Sequence, residues 1–450
     1  MPNRRQLLIG LAGSCAAVVA APEARAAPAR ADEIDAGEFG LRPSRLDQSR
    51  RFTRLLAAAA ERNVPVYLPA GDYVVSGIEL PPRVSLRGTA GSTRIVYGGG
   101  GHLFRARDGE RIELSGLVLD GASMPLDASV RAILDLRDIG HLVVDDCALV
   151  ASAANGIAIE RVGGRIERST ISGADDCGLY SIDATGLAIT GNTVTDCGNG
   201  GILVHRWQPG EDGTIVAGNR IRRIAARDGG TGQHGNGINV FRADAVMISG
   251  NHVSDCAFSA IRSNSGSNVQ ITGNTCLRSG ETGIYSEFAF EGALISGNIV
   301  DGAANGISIV NFNEGGRIAV CSGNVVRNLS RSGPYVTDPP GFGVGISAEA
   351  ETAITGNVVE GAPLYGINLG WGPFLRNVTA TGNVIRGAGT GIAVTVVDGA
   401  GPAIIADNVI SDTRDAAIVG HRWTEIATGD LAHEGAAAFP HLTIARNHVG

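Results

Sequence analysis

The chain of 450 residues contains no lysine, so all 37 of its Lys-plus-Arg positive charges are arginines. That excludes any mechanism resting on a lysine base or a Schiff base. Aromatic residues make up only 5% of the sequence, against 65 glycines. Such a composition suits a fold that turns a corner every few residues. Positive charge is also scarce: the formal net charge is −8. Without residues 1–26, which carry Arg4, Arg5, Arg25 and Glu23 (net +2), it becomes −10. A nucleic-acid partner, which needs a basic stripe, is therefore not expected. Beyond the N-terminus no run is long and apolar enough to span a bilayer. No Cys-x-x-Cys or His-rich zinc spacing occurs.

The N-terminus reads as an export signal. Asn3-Arg4-Arg5-Gln6-Leu7-Leu8 is a twin-arginine start, an apolar run extends from Leu7 to Ala21, and Ala24-Arg25-Ala26 offers an Ala-x-Ala cleavage site, with Ala29-Arg30-Ala31 as a second choice. The expectation is a signal peptide over 1–26, a translocase partner during export, and a periplasmic or extracellular mature protein. Cys147, Cys177, Cys197, Cys256, Cys276 and Cys321 remain after cleavage. An even number in an exported chain invites disulfides. However, Cys197 and Cys256 each fall five residues after a recurring Asn, where Val or Ile stands elsewhere, so buried small hydrophobes are the expected role.

That recurring Asn belongs to a phrase repeated down most of the chain: a β-branched strand, Gly-Asn, a short apolar strand, then Gly-Ile. Ile189-Thr190-Gly191-Asn192 leads to Gly201-Ile202, and Ile295-Ser296-Gly297-Asn298 leads to Gly306-Ile307. Further copies centre on Asn219, Asn251, Asn274, Asn324, Asn357, Asn383, Asn408 and Asn447. From Asn251 the spacings run 23, 24 and 26 residues, a period that marks a solenoid. Gly is expected to supply positive φ at the corner, and Asn to tolerate a left-handed turn and bond to the Asn above and below.

Ahead of the repeats, Asp47 is placed to cap a helix beginning at Gln48-Ser49-Arg50 and running through Ala57-Ala58-Ala59-Ala60. Val64-Pro65-Val66-Tyr67-Leu68-Pro69-Ala70-Gly71-Asp72-Tyr73 reads as two strands around a turn. This segment, with Val84-Ser85-Leu86-Arg87-Gly88 after it, resembles the N-terminus of the pectin-lyase-like superfamily, locally over about 40–90 and by pattern over about 110–450. With its twin-arginine start the whole chain also resembles an uncharacterised family of twin-arginine-translocated repeat proteins. The resemblance implies an all-β, right-handed, single-stranded parallel β-helix. The expected organisation is a signal over 1–26, an N-terminal cap over 27–90, and about twelve coils over 91–450.

Intervals longer than one coil locate loop insertions on either side of the Gly-Ile strand. His205–Gly213, Asn311–Gly316, Gly370–Asn377 and His421–His441 follow it; Ala225–Asn236 and Leu329–Phe342 precede it. The expectation is a groove floored by the Gly-Ile strands, between two loop walls. Alternation sends one row outward as Leu203, Asn239, Arg262, Tyr285, Ser308, Ser347 and Asn368, and a second that includes His205, Phe241, Asn264, Glu287 and Glu349. One-coil neighbours touch, so Arg262 is expected beside Tyr285 and Asn264 beside Glu287.

An acidic polysaccharide fits this patch: Arg for a carboxylate, aromatics for ring faces. Arg262 would neutralise a uronate, Tyr285 or His205 would move a proton and Glu287 would assist, as in a lyase, epimerase or hydrolase. Arg206, Trp207, Asn239, Arg242, Asn264, Phe288, Asn311 and Trp371 would bind the chain. Asp175-Asp176-Cys177 resembles the Asp-Asp-Cys motif of polygalacturonases, which implies acid and water-activating roles for Asp175 and Asp176. The neighbouring coils lack that family's companion motifs, and two turn aspartates are the plainer reading. No cofactor is called for; hard oxygen ligands suit calcium, but two carboxylates are too few to claim a site. His205-Arg206-Trp207 and His421-Arg422-Trp423 are the same tripeptide in distant coils, which suggests loop anchoring through the Trp or an Arg stacked on it. The competing function is a non-catalytic envelope scaffold or adhesin that contacts glycan or protein.

Overall fold

The computed structural model describes residues 33–450; the signal called at 1–26 lies outside them. Each turn of the molecule is three short parallel strands, as in Val269–Thr272, Thr275–Leu277 and Thr282–Glu287. Strands of successive turns pair in register, for example Ile261↔Ile284↔Ile307. The strands that follow Gly-Asn form a sheet of sixteen. The other two faces form one sheet of 28, because near the N-terminus single long strands such as Ala132–Asp145 and Asn155–Glu167 bend across both. Sixteen stacked strands make about fifteen turns, more than the twelve coils expected. The difference lies at the N-terminus: Ser44–Asp47, Gly71–Val75, Thr93–Tyr97 and Val118–Asp120 already belong to the sixteen-stranded sheet. The first two lie in the stretch expected as the cap, and none of these four turns carries the repeat Asn that marks the later coils.

The Asn residues form the expected ladder. Asn274 Nδ2 donates to Asn298 Oδ1 at 3.0 Å and to Ile248 O at 3.0 Å, and its backbone N–H reaches Asn298 Oδ1 at 2.9 Å. The same pattern runs from Asn192 to Asn447. A buried amide is thus satisfied on both its donor and acceptor sides, the condition for burying it at all. The division of labour differs from expectation: Gly273, at φ +65, takes the left-handed conformation, and no repeat Asn does. The Gly of Gly-Ile has another task. A Cβ on Gly306 would stand 2.2 Å from Gly345 O, so the coils close only around a missing side chain.

Inside the coil the Ile and Val rows are fully buried, and burying each such side chain is worth about 1.5–3 kcal/mol. The six cysteines are free and buried, with Cys197 and Cys256 stacked on either side of Ile224. Helix α1 (Ser49–Arg62) lays Phe52, Leu55, Leu56 and Ala59 over the first turns and stops at the left-handed Asn63. Its N-cap is Gln48, which makes no capping bond; Asp47, expected to cap, accepts the Ser49 N–H at 3.1 Å one step earlier. At the other end the insert after His421 folds back as an antiparallel strand, Glu425–Asp430, followed by helix α2 (Leu431–Glu434). Asp430 accepts the N–H groups of Ala417 and Ile418 at 2.8 and 3.1 Å, covering an edge that would otherwise be open. Among the described residues no helix is long and apolar enough to cross a membrane.

Candidate functional site

The outward rows fall where the repeat puts them. Leu203, Asn239, Arg262, Tyr285, Ser308, Ser347 and Asn368 stack in register, as do His205, Phe241, Asn264 and Glu287. Arg262 is beside Tyr285 and Asn264 beside Glu287, as expected. What stands over the rows differs. The two loops that precede the Gly-Ile strands lean across the central coils instead of standing as a wall. Gly232, at φ +139, lies so close above Arg262 that a Cβ there would come within 1.6 Å of its Nη1. Tyr335 of the second loop donates to Glu281 Oε1 at 2.6 Å and stacks on Phe258 with ring centroids 6.0 Å apart. Leu203, Asn239, Arg262 and Ser308 are consequently buried.

Under this roof Arg262 is already neutralised. Its Nε donates to Glu287 Oε1 at 2.6 Å, its Nη1 lies 3.5 Å from Glu281 Oε2, and its guanidinium sits 5.1 Å from the centroid of the Tyr285 ring. Asn264 adds a bond to Glu287 Oε1 at 3.1 Å, and Ser259 one to Glu281 Oε2 at 2.8 Å. Burial raises the Glu287 pKa against the pull of Arg262, and burial also raises the Tyr285 hydroxyl. Arg262 thus has its charge met by two carboxylates of the protein and ties coil to coil beneath a loop. Glu281 and Tyr335 complete the cluster and were not foreseen. Tyr335 sits in an insert with no register, and Glu281 stands in the turn ahead of its strand.

The other candidates spread along the face. His205 sits edge-on between Tyr180 and Phe241, with centroids 5.1 and 5.6 Å away. Its Nε2 is buried without a partner, and burial lowers its pKa to about 4. It is therefore a neutral, packed imidazole near pH 7. His421 repeats the arrangement against Tyr365 at 5.1 Å, its pKa also lowered by burial. In the shared tripeptide the His is packed in both copies, whereas Trp207 and Trp423 are largely exposed, Trp423 also lying against Gly372 of the neighbouring loop. Asp175 and Asp176 do not join the Arg262 cluster. Asp175 is paired with Arg227 at 2.7 Å, and Asp176 accepts from Asn199 Nδ2 at 3.2 Å. Asp175 thus ties the turn to the loop Ala225–Asn236, and Asp176 ties it to the turn of the next coil.

The edge after the Gly-Ile strands is more open. Trp207, Phe288 and Trp423 are the exposed Trp and Phe side chains among the described residues, and all three lie on it. Arg242 covers the Phe241 ring at 4.6 Å and donates to Trp207 O at 3.2 Å. Arg206 is half-buried, with Nε 3.4 Å from Gln208 O. Asn311, left-handed at φ 72, accepts the Phe288 N–H at 3.3 Å. Trp371 meets Trp423 edge-on at 5.8 Å. Asn239 is apart from these: it is buried in the row beside Arg262 with Oδ1 unpartnered. Glu349, under Phe312, accepts that residue's N–H at 2.6 Å, and burial raises its pKa to about 7. A hollow of about 730 Å³ lies on a different face, lined by Gln270, Leu294, Ile318, Val320, Glu351 and Thr379, and holds none of the candidates.

Known proteins share this architecture at low identity. The A-module of the mannuronan C-5 epimerase AlgE6 of Azotobacter vinelandii aligns with a TM-score of 0.52 at 15% identity, over 92% of this chain and 99% of that one. The catalytic unit of a GH87 α-1,3-glucanase from Streptomyces thermodiastaticus gives a TM-score of 0.48 at 17% identity, over 94% and 70%. PfbA, a surface adhesin of Streptococcus pneumoniae, gives 0.46 at 12%, over 86% and 91%. At such identities the likeness is one of fold. No curated protein sequence matches the chain significantly. The profile of the right-handed β-helix region matches residues 155–318 and 216–385, together spanning 155–385, just over half of the 450 residues. The chain belongs to the right-handed β-helix family.

Proposed function

We propose that this protein is a polysaccharide-binding β-helix that holds an extended glycan along the edge following its Gly-Ile strands. One observation carries the reading: the exposed Trp and Phe side chains of the described residues, Trp207, Phe288 and Trp423, stand on that single edge of a long solenoid. Flat, rigid, amphipathic rings present ring-stacking area at little entropic cost, and these three stand three and five coils apart along the axis, at about 4.8 Å per coil. Arg206 and Arg242 add donors between the rings. The groups proposed for acid–base chemistry support binding over turnover: Arg262 and Glu287 are engaged with each other, and His205 is packed between rings. The reading is thus a non-catalytic glycan-binding protein, acting outside the cytoplasm if residues 1–26 direct export.

Affinity electrophoresis through gels containing neutral and uronate polysaccharides tests this. Wild type should be retarded by at least one polymer, and Trp207→Ala and Trp423→Ala should each weaken retention several-fold. Absence of retardation by any polymer, or variants that run like wild type, would overturn it. Release of reducing ends or unsaturated sugars by wild type would replace binding with catalysis.

A further inference from the structure

The outward rows continue upstream of the repeat Asn residues. The first runs Glu79, Arg105, Asp135, Ala158, Tyr180, Leu203, and the second Arg107, Arg137, Glu160, Ile182, His205. In place of one arginine beneath a roof, arginines converge here from three adjacent coils. Arg107 Nη2 lies 3.4 Å from Asp135, and Arg131 Nη2 lies 3.5 Å from it. Glu160 takes Arg131, Arg137 and Arg161 at 3.0, 2.9 and 2.5 Å. Arg161 also reaches Asp138. Arg105, paired in register with Asp135, makes its ion pair with Glu79.

Four guanidiniums (Arg107, Arg131, Arg137, Arg161) thus outnumber the three carboxylates they touch (Asp135, Asp138, Glu160), with Arg105, Glu79 and Asp127 alongside. The donors are also in surplus: Arg107 Nη1 and Arg137 Nε are buried with no hydrogen-bond partner. The site is open, because the Arg107 and Arg137 side chains are 33% and 39% exposed, against 11% for Arg262. Beside it, one coil beyond Ala158 and so within about 10 Å of the Asp135 coil, the half-buried Tyr180 leads towards Trp207 and the aromatic edge.

We propose that this cluster, centred on Arg107, Arg131 and Arg137, is an oxyanion-binding subsite that makes the bound glycan an acidic one. The inference rests on the glycan-binding reading and adds to it the charge of the polymer and the place where that charge is read. Guanidinium forks suit planar carboxylates, and also sulfate esters, through paired N–H···O bonds. One cluster of this kind on a chain of net −8 gives local recognition of one acidic unit, not a track for a polyanion.

Binding of polygalacturonate, dextran sulfate and unmodified dextran to the full chain would be measured by calorimetry at low and moderate salt. The two acidic arms distinguish carboxylate from sulfate as the group read. Arg137→Gln and Arg107→Gln should each weaken acidic-polymer binding about tenfold and flatten its salt dependence. Arg317→Gln, which removes one charge on another face, should leave binding unchanged. If an acidic polymer binds and all three variants match wild type, this inference fails and the glycan-binding reading stands. If dextran binds as tightly as the acidic polymers, the inference fails likewise. If no polymer binds, both fall.

Discussion

Two arginine sites on the face of the outward rows behave in opposite ways. At the centre, Arg262 meets two carboxylates, Glu281 and Glu287, beneath Gly232 and the loop of Tyr335. Towards the N-terminus, four arginines share three carboxylates and face solvent in part. The same residue type on the same face is a structural tie in one place and a candidate ligand group in the other. What separates them is the count of nearby carboxylates and whether an insert covers the coil. A buried charge must be neutralised within the protein, so a roofed arginine has nothing left to offer a ligand.

That contrast can be broken most severely at the centre. Arg262→Met would leave Glu281 and Glu287 buried and unpaired, and should destabilise by about 3–5 kcal/mol, seen as a large fall in melting temperature. Arg262→Met with Glu287→Met should recover part of it. Opening the roof is the next largest effect: Gly232→Ala places a Cβ against the Arg262 guanidinium at a φ that disfavours side chains, costing about 1–3 kcal/mol. Hydrogen exchange across Ala225–Asn236 should rise in that variant; unchanged protection would mean the loop is not a roof. Arg137→Gln should change stability by less than about 1 kcal/mol, because Glu160 keeps Arg131 and Arg161. A melting loss as large as that of Arg262→Met would erase the distinction between the clusters.

The smallest effect concerns a carboxyl with no arginine at all. Glu349 has only backbone donors, and burial raises its pKa from the ordinary 4.5 to about 7. A raised acid pKa means that the folded state holds the proton more tightly. Its contribution is therefore full below about pH 4.5 and is lost as pH rises through about 7. Glu349→Gln should accordingly melt close to wild type at pH 4.5 and above it at pH 8. His205 pulls the other way, losing stability as pH falls from 6.5 towards about 4, so the difference between variant and wild type is the quantity to follow.

Much of this was legible from the repeat. Once Asn274 and Ile284 are placed in the coil, Arg262 must face Tyr285 and Asn264 must face Glu287, because pairing in a parallel solenoid allows no other neighbour. The inserts were legible as lengths but not as directions. Nothing in Gly229-Gly230-Thr231-Gly232 says that the loop folds over the sheet, and Tyr335 reaches Glu281 from 54 residues away. The N-terminal arginines were hidden because the register was carried no further upstream than the Asn phrase. Leu134-Asp135-Leu136-Arg137 alternates in the same way and could have extended it.

By itself the sequence determined the period, the three-strand coil, the buried Ile, Val and Cys rows and the Asn ladder. Each of these depends only on the residue's own chemistry and on a neighbour one coil away. Only the tertiary structure decided which outward residues meet solvent. That depends on where insertions of irregular length come to rest, and on the balance of charges brought together from several coils.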